Sequence, residues 1–292
     1  MAWTTTSDLD AFQAAAGAFL RARPVQHTLL LTVVSSLEAA GSGRYGDQPP
    51  VFGWWRAPSG AVDGAYLRTP PRPPLLSAMP AEAADALART LAGADGADGA
   101  DGANRARIGG VNGARPVAEA FADAWERHTG EARGVDHVQR LYRLDTLTPS
   151  GPVRGRARTA TTDDRDLLLS WYAAFGRDTG ALPEGEVARA VDDRLSHHGA
   201  LLWEVDGEPV ATAAVSRTIA DTVRVSLVYT PPEWRGHGYG GAVTAAVSRA
   251  ARAAGAERVL LFTDLANPTS NALYQRIGYR PVEDHLMLTF AP

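Results

Sequence analysis

The chain contains no cysteine. That absence excludes disulfides, thiolate-bound metals and any mechanism that passes an acyl group through a cysteine. An excess of positive charge is missing too. The 29 basic and 33 acidic residues leave a net charge of −4, which offers no field for nucleic acid or an anionic membrane. Long apolar runs are likewise absent. The most apolar early stretch, TLLLTVVSSL, is too short to span a bilayer, and MAWTTTSDLDAFQ lacks the basic start of a signal peptide. The only adjacent histidines, His197 and His198, leave a helix end in different directions and make no metal pair. These absences predict a cytoplasmic protein with no metal and with neither nucleic acid nor membrane as partner.

What is present is core material. With 45% hydrophobic and 21% charged residues over 292 positions, the chain can build one large domain or two ordinary ones. Two stretches break the pattern. Residues 92–104, AGADGADGADGAN, repeat residues that cannot form a packed face, and read as a mobile loop. Residues 146–159, TLTPSGPVRGRART, have no apolar period and read as the divide between halves, with a linker at 150–158. Either side, similar orders of helix and strand recur, so the expected fold is a duplicated α/β unit. The later half is the clearer. It has two helices, a hairpin at Asp206-Gly207, the alternating strand DTVRVSLVYT, an Ala-rich helix, a buried strand, a short helix and a last strand.

The chemistry concentrates in PPEWRGHGYGGAVTAA, residues 231–246. Glycines between a strand and a helix let several N–H groups converge on one point, at a helix end whose dipole is positive. This is a phosphate cradle, unless the glycines serve only to turn the chain. A P-loop needs a lysine that this turn lacks. A dinucleotide-binding turn is a closer rival, because Gly236, Gly238 and Gly241 have its spacing and Asp264 stands where its acid would. Against it, five residues, Pro231 to Arg235, separate the strand from Gly236, and too little chain follows Asp264 to complete that sheet.

Arg235, Gly238 and Gly240 also spell R-x-x-G-x-G. With a strand ending in Pro-Pro before it, a long helix after it and NPTSNALYQRIGY downstream, the arrangement resembles the GNAT superfamily of N-acetyltransferases over residues 157–290. The resemblance implies two tandem GNAT-like domains of class α/β (α+β), each a mixed, mostly antiparallel sheet flanked by helices. A degenerate first copy would span 1–149 and a catalytic copy 159–292. It implies acetyl-CoA as acyl donor, a small-molecule amine as acceptor, and a monomer or homodimer. Val228, Tyr229 and Thr230 would pair with the pantetheine arm. The backbone of Arg235, Gly236, His237, Gly238, Tyr239 and Gly240 would bind the pyrophosphate, with Arg235 adding its charge. Asn267 and Asn271 would touch the cofactor arm, and Tyr274 would stand near the thioester sulfur as its proton donor. Trp171, Tyr172 and Asp178 would line the acceptor pocket.

Helix geometry bears on that last helix. Asn267, Asn271 and Tyr274 fall at i, i+4 and i+7, on one face. Asn267 before Pro268 reads equally well as a simple N-cap. The general base has three candidates in Glu204, Glu233 and Asp264. Glu204 is favoured because a strand holds geometry better than a loop does. A non-catalytic CoA-binding or dimerising module and a dinucleotide-dependent oxidoreductase are the alternative functions.

Overall fold

The computed structural model describes residues 2–96, 108–148 and 151–291. Its contacts divide the chain into two units, Met1–Arg140 with Glu283–Pro292, and Leu141–Val282. The boundary therefore precedes the proline-rich stretch. Residues 156–158, expected in the linker, belong to a strand. Of the Ala-Gly-Asp stretch expected as a loop, residues 92–96 continue a helix, and 97–104 lie outside the described residues.

The first unit runs β1 (Trp3–Thr6), α1 (Leu9–Ala22), α2 (Thr28–Ala40), β2 (Val51–Arg56), β3 (Val62–Arg68), β4 (Leu75–Leu76), α3 (Ala81–Gly96), β5 (Gly110–Ala114), α4 (Arg115–Thr129) and β6 (Ala132–Leu144). Its strands are ordered β1-β2-β3-β4-β5, antiparallel except for the β4–β5 pair. The opening pair β1 and α1 was not anticipated from the sequence. Asp8 caps α1 by accepting from the amides of Asp10 and Ala11, and Phe12, Ala16 and Leu20 bury its inner face.

The second unit repeats the order: β7 (Arg156–Thr159), α5 (Arg165–Thr179), α6 (Val187–Ser196), β8 (Ala200–Val205), β9 (Glu208–Val215), β10 (Thr222–Tyr229), α7 (Tyr239–Ala253), β11 (Arg258–Asp264), α8 (Pro268–Arg276) and β12 (Tyr279–Ala291). Its strands lie in the order β11-β10-β9-β8-β7, with only β10–β11 parallel. Asp206 and Gly207 both take positive φ (53° and 86°), as a two-residue type I′ hairpin requires. The two faces of this sheet are covered differently. Val223 and Val225 pack with Val243 and Val247 of α7, whereas Leu227 and Tyr229 pack with Leu168, Trp171 and Val191 of α5 and α6.

Each unit takes its closing strand from a distant part of the chain. Residues 285–289 of β12 pair antiparallel with β5, and Leu286 and Leu288 fill the first unit's core beside Phe121 and Trp125. Tyr142 and Leu144, at the end of β6, belong to the core of the second unit.

Candidate functional site

The site begins where β10 and β11 part. Their parallel register runs from Thr222↔Arg258 to Val225↔Leu261 and stops there. On the other edge, Ser226 pairs with Ala214 and Tyr229 with Thr212, so β10 spends three steps where β9 spends two. The extra residue is a β-bulge, and Leu227 takes φ = 53° within it. A leucine with positive φ is costly by about 1–2 kcal/mol, so the packing of Leu227 against α5 and α6 must hold it. The bulge also reverses which face the later side chains occupy, turning Leu227 and Tyr229 onto the face that Val223 and Val225 avoid. Val228 and Tyr229 thus end a strand whose β11 edge is no longer paired. Thr230 follows, with its carbonyl accepting from Arg235 Nε at 3.0 Å.

Beyond it, a single 3-10 turn (Pro232–Trp234) leads into the glycines. Gly236 and Gly238 adopt φ of 84° and 82°, and Gly238 is the N-cap of α7. Among the described residues, the amides from Gly236 to Gly240 donate to no backbone or side-chain acceptor. These converging donors at a helix N-terminus suit a diphosphate. Gly240 has ordinary φ, but a Cβ there would come within 3.3 Å of Thr230 Oγ1. The side chains of the turn brace it. His237 Nδ1 lies 3.0 Å from the Arg235 carbonyl, and its ring stacks on Tyr239 with centroids 5.5 Å apart. His237 and Tyr239 therefore contribute backbone to the cradle while their rings are spent on its shape.

Arg235 differs from expectation. Its guanidinium donates to Asp178 at 2.9 Å and lies 5.9 Å from the Tyr229 ring, so its charge is held by α5 and the end of β10. Asp178, expected in the acceptor pocket, is the other half of this ion pair. Trp171 is buried and tilted against Tyr229 at 6.2 Å. Tyr172 corrects the sequence reading: it is fully buried in the core under α5, and burial pushes its phenol up to about 12. It cannot line an open pocket.

The asparagines of α8 are occupied as well. Asn267 is the N-cap, accepting from the Ser270 amide at 3.0 Å. Asn271 donates to the carbonyls of Asp264 (2.8 Å) and Asn267 (2.7 Å) and accepts from the Tyr142 hydroxyl (2.8 Å). Both side chains fasten α8 to its surroundings, which displaces the expectation that they reach for a cofactor. Tyr142 had no signal of its own, since it meets Asn271 from 129 positions away in the sequence.

Tyr274 is free of such duties. Its ring packs edge-on against Tyr279 at 6.1 Å, and Tyr279 is fixed by a 2.7 Å hydrogen bond between its hydroxyl and Ser248. Burial pushes the Tyr274 phenol up to about 12, and among the described residues its hydroxyl has no hydrogen-bond partner. Its O–H is thus a hydrogen-bond donor that no acceptor among the described residues claims.

Glu204 is the clearest correction. Its buried carboxylate accepts from Arg158 Nε at 2.5 Å, and the same guanidinium clasps Asp164 at 2.6 and 2.7 Å. This is a structural triad that ties β7 and β8 to the start of α5, and a carboxylate so engaged is a poor base. Asp264 is spent at the mouth of α8, accepting from the Ala266 amide at 2.8 Å. Among the described residues no histidine and carboxylate group could hold a metal, and no helix is long and apolar enough to cross a membrane.

Comparison with known proteins points to one family. Residues 166–279 match the model of the acetyltransferase (GNAT) family. A mycothiol acetyltransferase of Beutenbergia cavernae is 28% identical over 178 residues, which cover 53% of this chain. The match spans 60% of that relative's length. Among solved structures, a GCN5-related N-acetyltransferase from Sphaerobacter thermophilus superposes with a TM-score of 0.62 at 15% identity, covering 99% of this chain and 95% of its own. A GNAT-family acetyltransferase from Colwellia psychrerythraea gives 0.60 at 10% identity, covering 99% of both chains. Those two likenesses are of fold, and they extend over both units. Through residues 166–279, the chain is similar to the acetyltransferase (GNAT) family.

Proposed function

We propose that the protein transfers an acetyl group from acetyl-CoA to a primary amine of a small molecule, by direct attack within a ternary complex. The observation that carries this reading is the continuity of three features. A bulged strand end with one open edge runs into a cradle of free amides, and a buried phenol without a partner among the described residues stands on α8. The cradle at Arg235–Gly240 would hold the diphosphate by its backbone alone. The free edge of β10 from Val228 to Thr230 would align the pantetheine arm. Acetyl-CoA supplies the activated thioester, and the remaining tasks fall to the protein.

The acceptor must be neutral to attack. A lysine-like amine has a pKa near 10.4, so about one molecule in a thousand is neutral at pH 7, and assisted proton removal is worth roughly 10²–10⁴-fold. Since Glu204 is bound in its triad, that proton would pass to water. An amide of the bulge, at Leu227 or Val228, polarises the carbonyl under attack. Tyr274, kept protonated by burial, gives its proton to the departing sulfur. With no cysteine in the chain, no thiol stands between donor and acceptor.

The test is release of free CoA across a panel of amines, with amines related to mycothiol included because of the Beutenbergia relative. Turnover with at least one amine, together with a rise in melting temperature on adding CoA, is expected. Neither CoA nor acetyl-CoA changing the melting temperature would sink the reading. A melting shift with no turnover on any amine would favour a CoA-binding module instead.

A further inference from the structure

The first unit carries a cavity of about 790 Å³, within the size range of small-molecule sites, in a half of the chain that the acetyl-transfer reading leaves without a ligand. Its walls differ in chemistry. One is aromatic, made by Trp3 of β1 and Trp55 of β2, with ring centroids 5.9 Å apart. Trp3 donates its indole N–H to the Ala83 carbonyl at 2.9 Å, which fixes the ring as a platform. Trp55 is only 4% exposed, and its indole N–H has no acceptor among the described residues. With so little surface exposed, Trp55 backs the platform and Trp3 presents it.

The other wall is charged. Glu82, Asp85 and Arg89 fall at i, i+3 and i+7 on α3, and Arg127 faces them from α4 beside Asp123, whose carboxylate accepts from Arg133 at 2.6 Å. Asp85 accepts from Arg89 at 3.0 Å and from Arg127 at 2.7 Å. Each guanidinium has five N–H donors, and these side chains are 63% and 60% exposed, so donors remain for a ligand. Glu82 has no ion-pair partner among the described residues, and offers two acceptor oxygens.

That combination selects against charge. An anion drawn to the arginines would meet Asp85 between them and Glu82 beside them. A cation drawn to Glu82 would meet the guanidiniums. What fits is a neutral ring with many hydroxyls, because each hydroxyl both donates and accepts. Its hydroxyls would pair with the planar carboxylates and guanidiniums, and its C–H face would lie on Trp3. We propose that this cavity binds a neutral polyhydroxylated ring of the monosaccharide class.

The experiment titrates the full chain with D-glucose, D-galactose and their methyl glycosides, with benzoate and tyramine as anionic and cationic probes. Saturation-transfer NMR detects binding, and calorimetry measures it. The expected result is saturable, millimolar binding of a neutral pyranoside. It should weaken about tenfold in Glu82→Gln and in Arg89→Gln, surface changes that each remove a hydrogen bond with a charged group. Trp3→Leu should abolish it, and the CoA melting shift should be unchanged in all three variants. No saturation by any pyranoside up to about 50 mM overturns the proposal. So does equal affinity in wild type, Glu82→Gln and Arg89→Gln, or saturation by benzoate or tyramine in place of the sugars.

Discussion

At the scale of single residues, Tyr274 and Glu204 show how burial and partners sort two groups that look alike on paper. One is a candidate proton donor and the other a candidate proton acceptor, and both were candidates for catalysis. Tyr274 is buried beside Tyr279 with its hydroxyl unclaimed, whereas Glu204 is buried against a guanidinium. Removing the phenol oxygen in Tyr274→Phe should lower kcat by about 10²-fold, the lower end of proton-transfer assistance, while the Kd for CoA stays within about twofold. Equal losses in kcat and in CoA affinity would instead mark Tyr274 as part of the binding surface. Its pH dependence has a definite sign. Burial holds the folded phenol near 12, above its unfolded value of about 10. Its contribution to stability is therefore whole below about pH 10 and is lost between about 10 and 12, at up to about 1.4 kcal/mol per pH unit. Tyr172 adds a loss in the same window, so Tyr274→Phe should soften the alkaline fall in stability without removing it.

Glu204→Gln makes the opposite prediction. It leaves Arg158 with a weaker partner in a mostly buried triad, so denaturant unfolding should show a loss of about 1–3 kcal/mol, with kcat within about twofold of wild type. A large fall in kcat at unchanged stability would restore Glu204 as the base. Arg158 also holds the Asp164 carboxyl well below the usual carboxylate range. That contribution is present above the unfolded carboxylate pKa near 4, and is lost as pH falls through the lower folded value. Why the sequence misled here is plain. A glutamate on a strand shows its type and its face, but its partner Arg158 lies 46 residues earlier in a stretch that reads as linker.

Elements were legible where their signals are local. The Asp-Gly hairpin, the Asn-Pro start of α8 and the glycine turn each depend on neighbours a few residues apart, and each stands where expected. Helix α1 had the same kind of signal in Asp8 and in Phe12, Ala16 and Leu20, but its Ala-rich face dilutes the apolar period. The bulge at Leu227 had none. Nothing in DTVRVSLVYT marks a leucine for positive φ, because that conformation is imposed by β9 on one side and by helices on the other. The turn itself is sharpened by its dihedrals. Reading by motif singles out Gly238 and Gly240, whereas positive φ is needed at Gly236 and Gly238. Gly236→Ala tests this well, since open space surrounds the added methyl and only the backbone objects. Its expected cost is about 1–2 kcal/mol in the turn, seen as CoA binding roughly tenfold weaker by calorimetry, with α7 otherwise folded. Unchanged CoA affinity in Gly236→Ala would show that the amide at 236 lies outside the cradle.

For the whole molecule, a recurring order of helices and strands was readable without β1, α1 and β7, but the ownership of the last strands was not. The proline-rich stretch near 150 looks like the place where two domains separate. The cores say otherwise. Tyr142 and Leu144 precede that stretch and yet pack in the second unit, where Tyr142 also holds Asn271 at the head of α8. Leu286 and Leu288 follow the second unit and yet pack in the first, on the layer that contains Phe121 and Trp125. A register set by sheet pairing across such separations leaves no trace in local composition. A fragment of residues 150–292 would therefore lose a buried tyrosine and a buried leucine from the core beneath α7 and α8, and would expose two leucines that alternate on β12. Loss of each large core side chain is worth about 2–5 kcal/mol, comparable with the whole stability of a typical domain. The fragment should be insoluble or lack a cooperative melting transition, whereas one beginning at residue 136 restores Tyr142 and Leu144 and should recover α8, read as protection of its amides in hydrogen exchange. A soluble fragment of 150–292 that melts cooperatively and binds CoA like the full chain would show that neither β6 side chain is needed to hold Asn271 and Tyr274 in place.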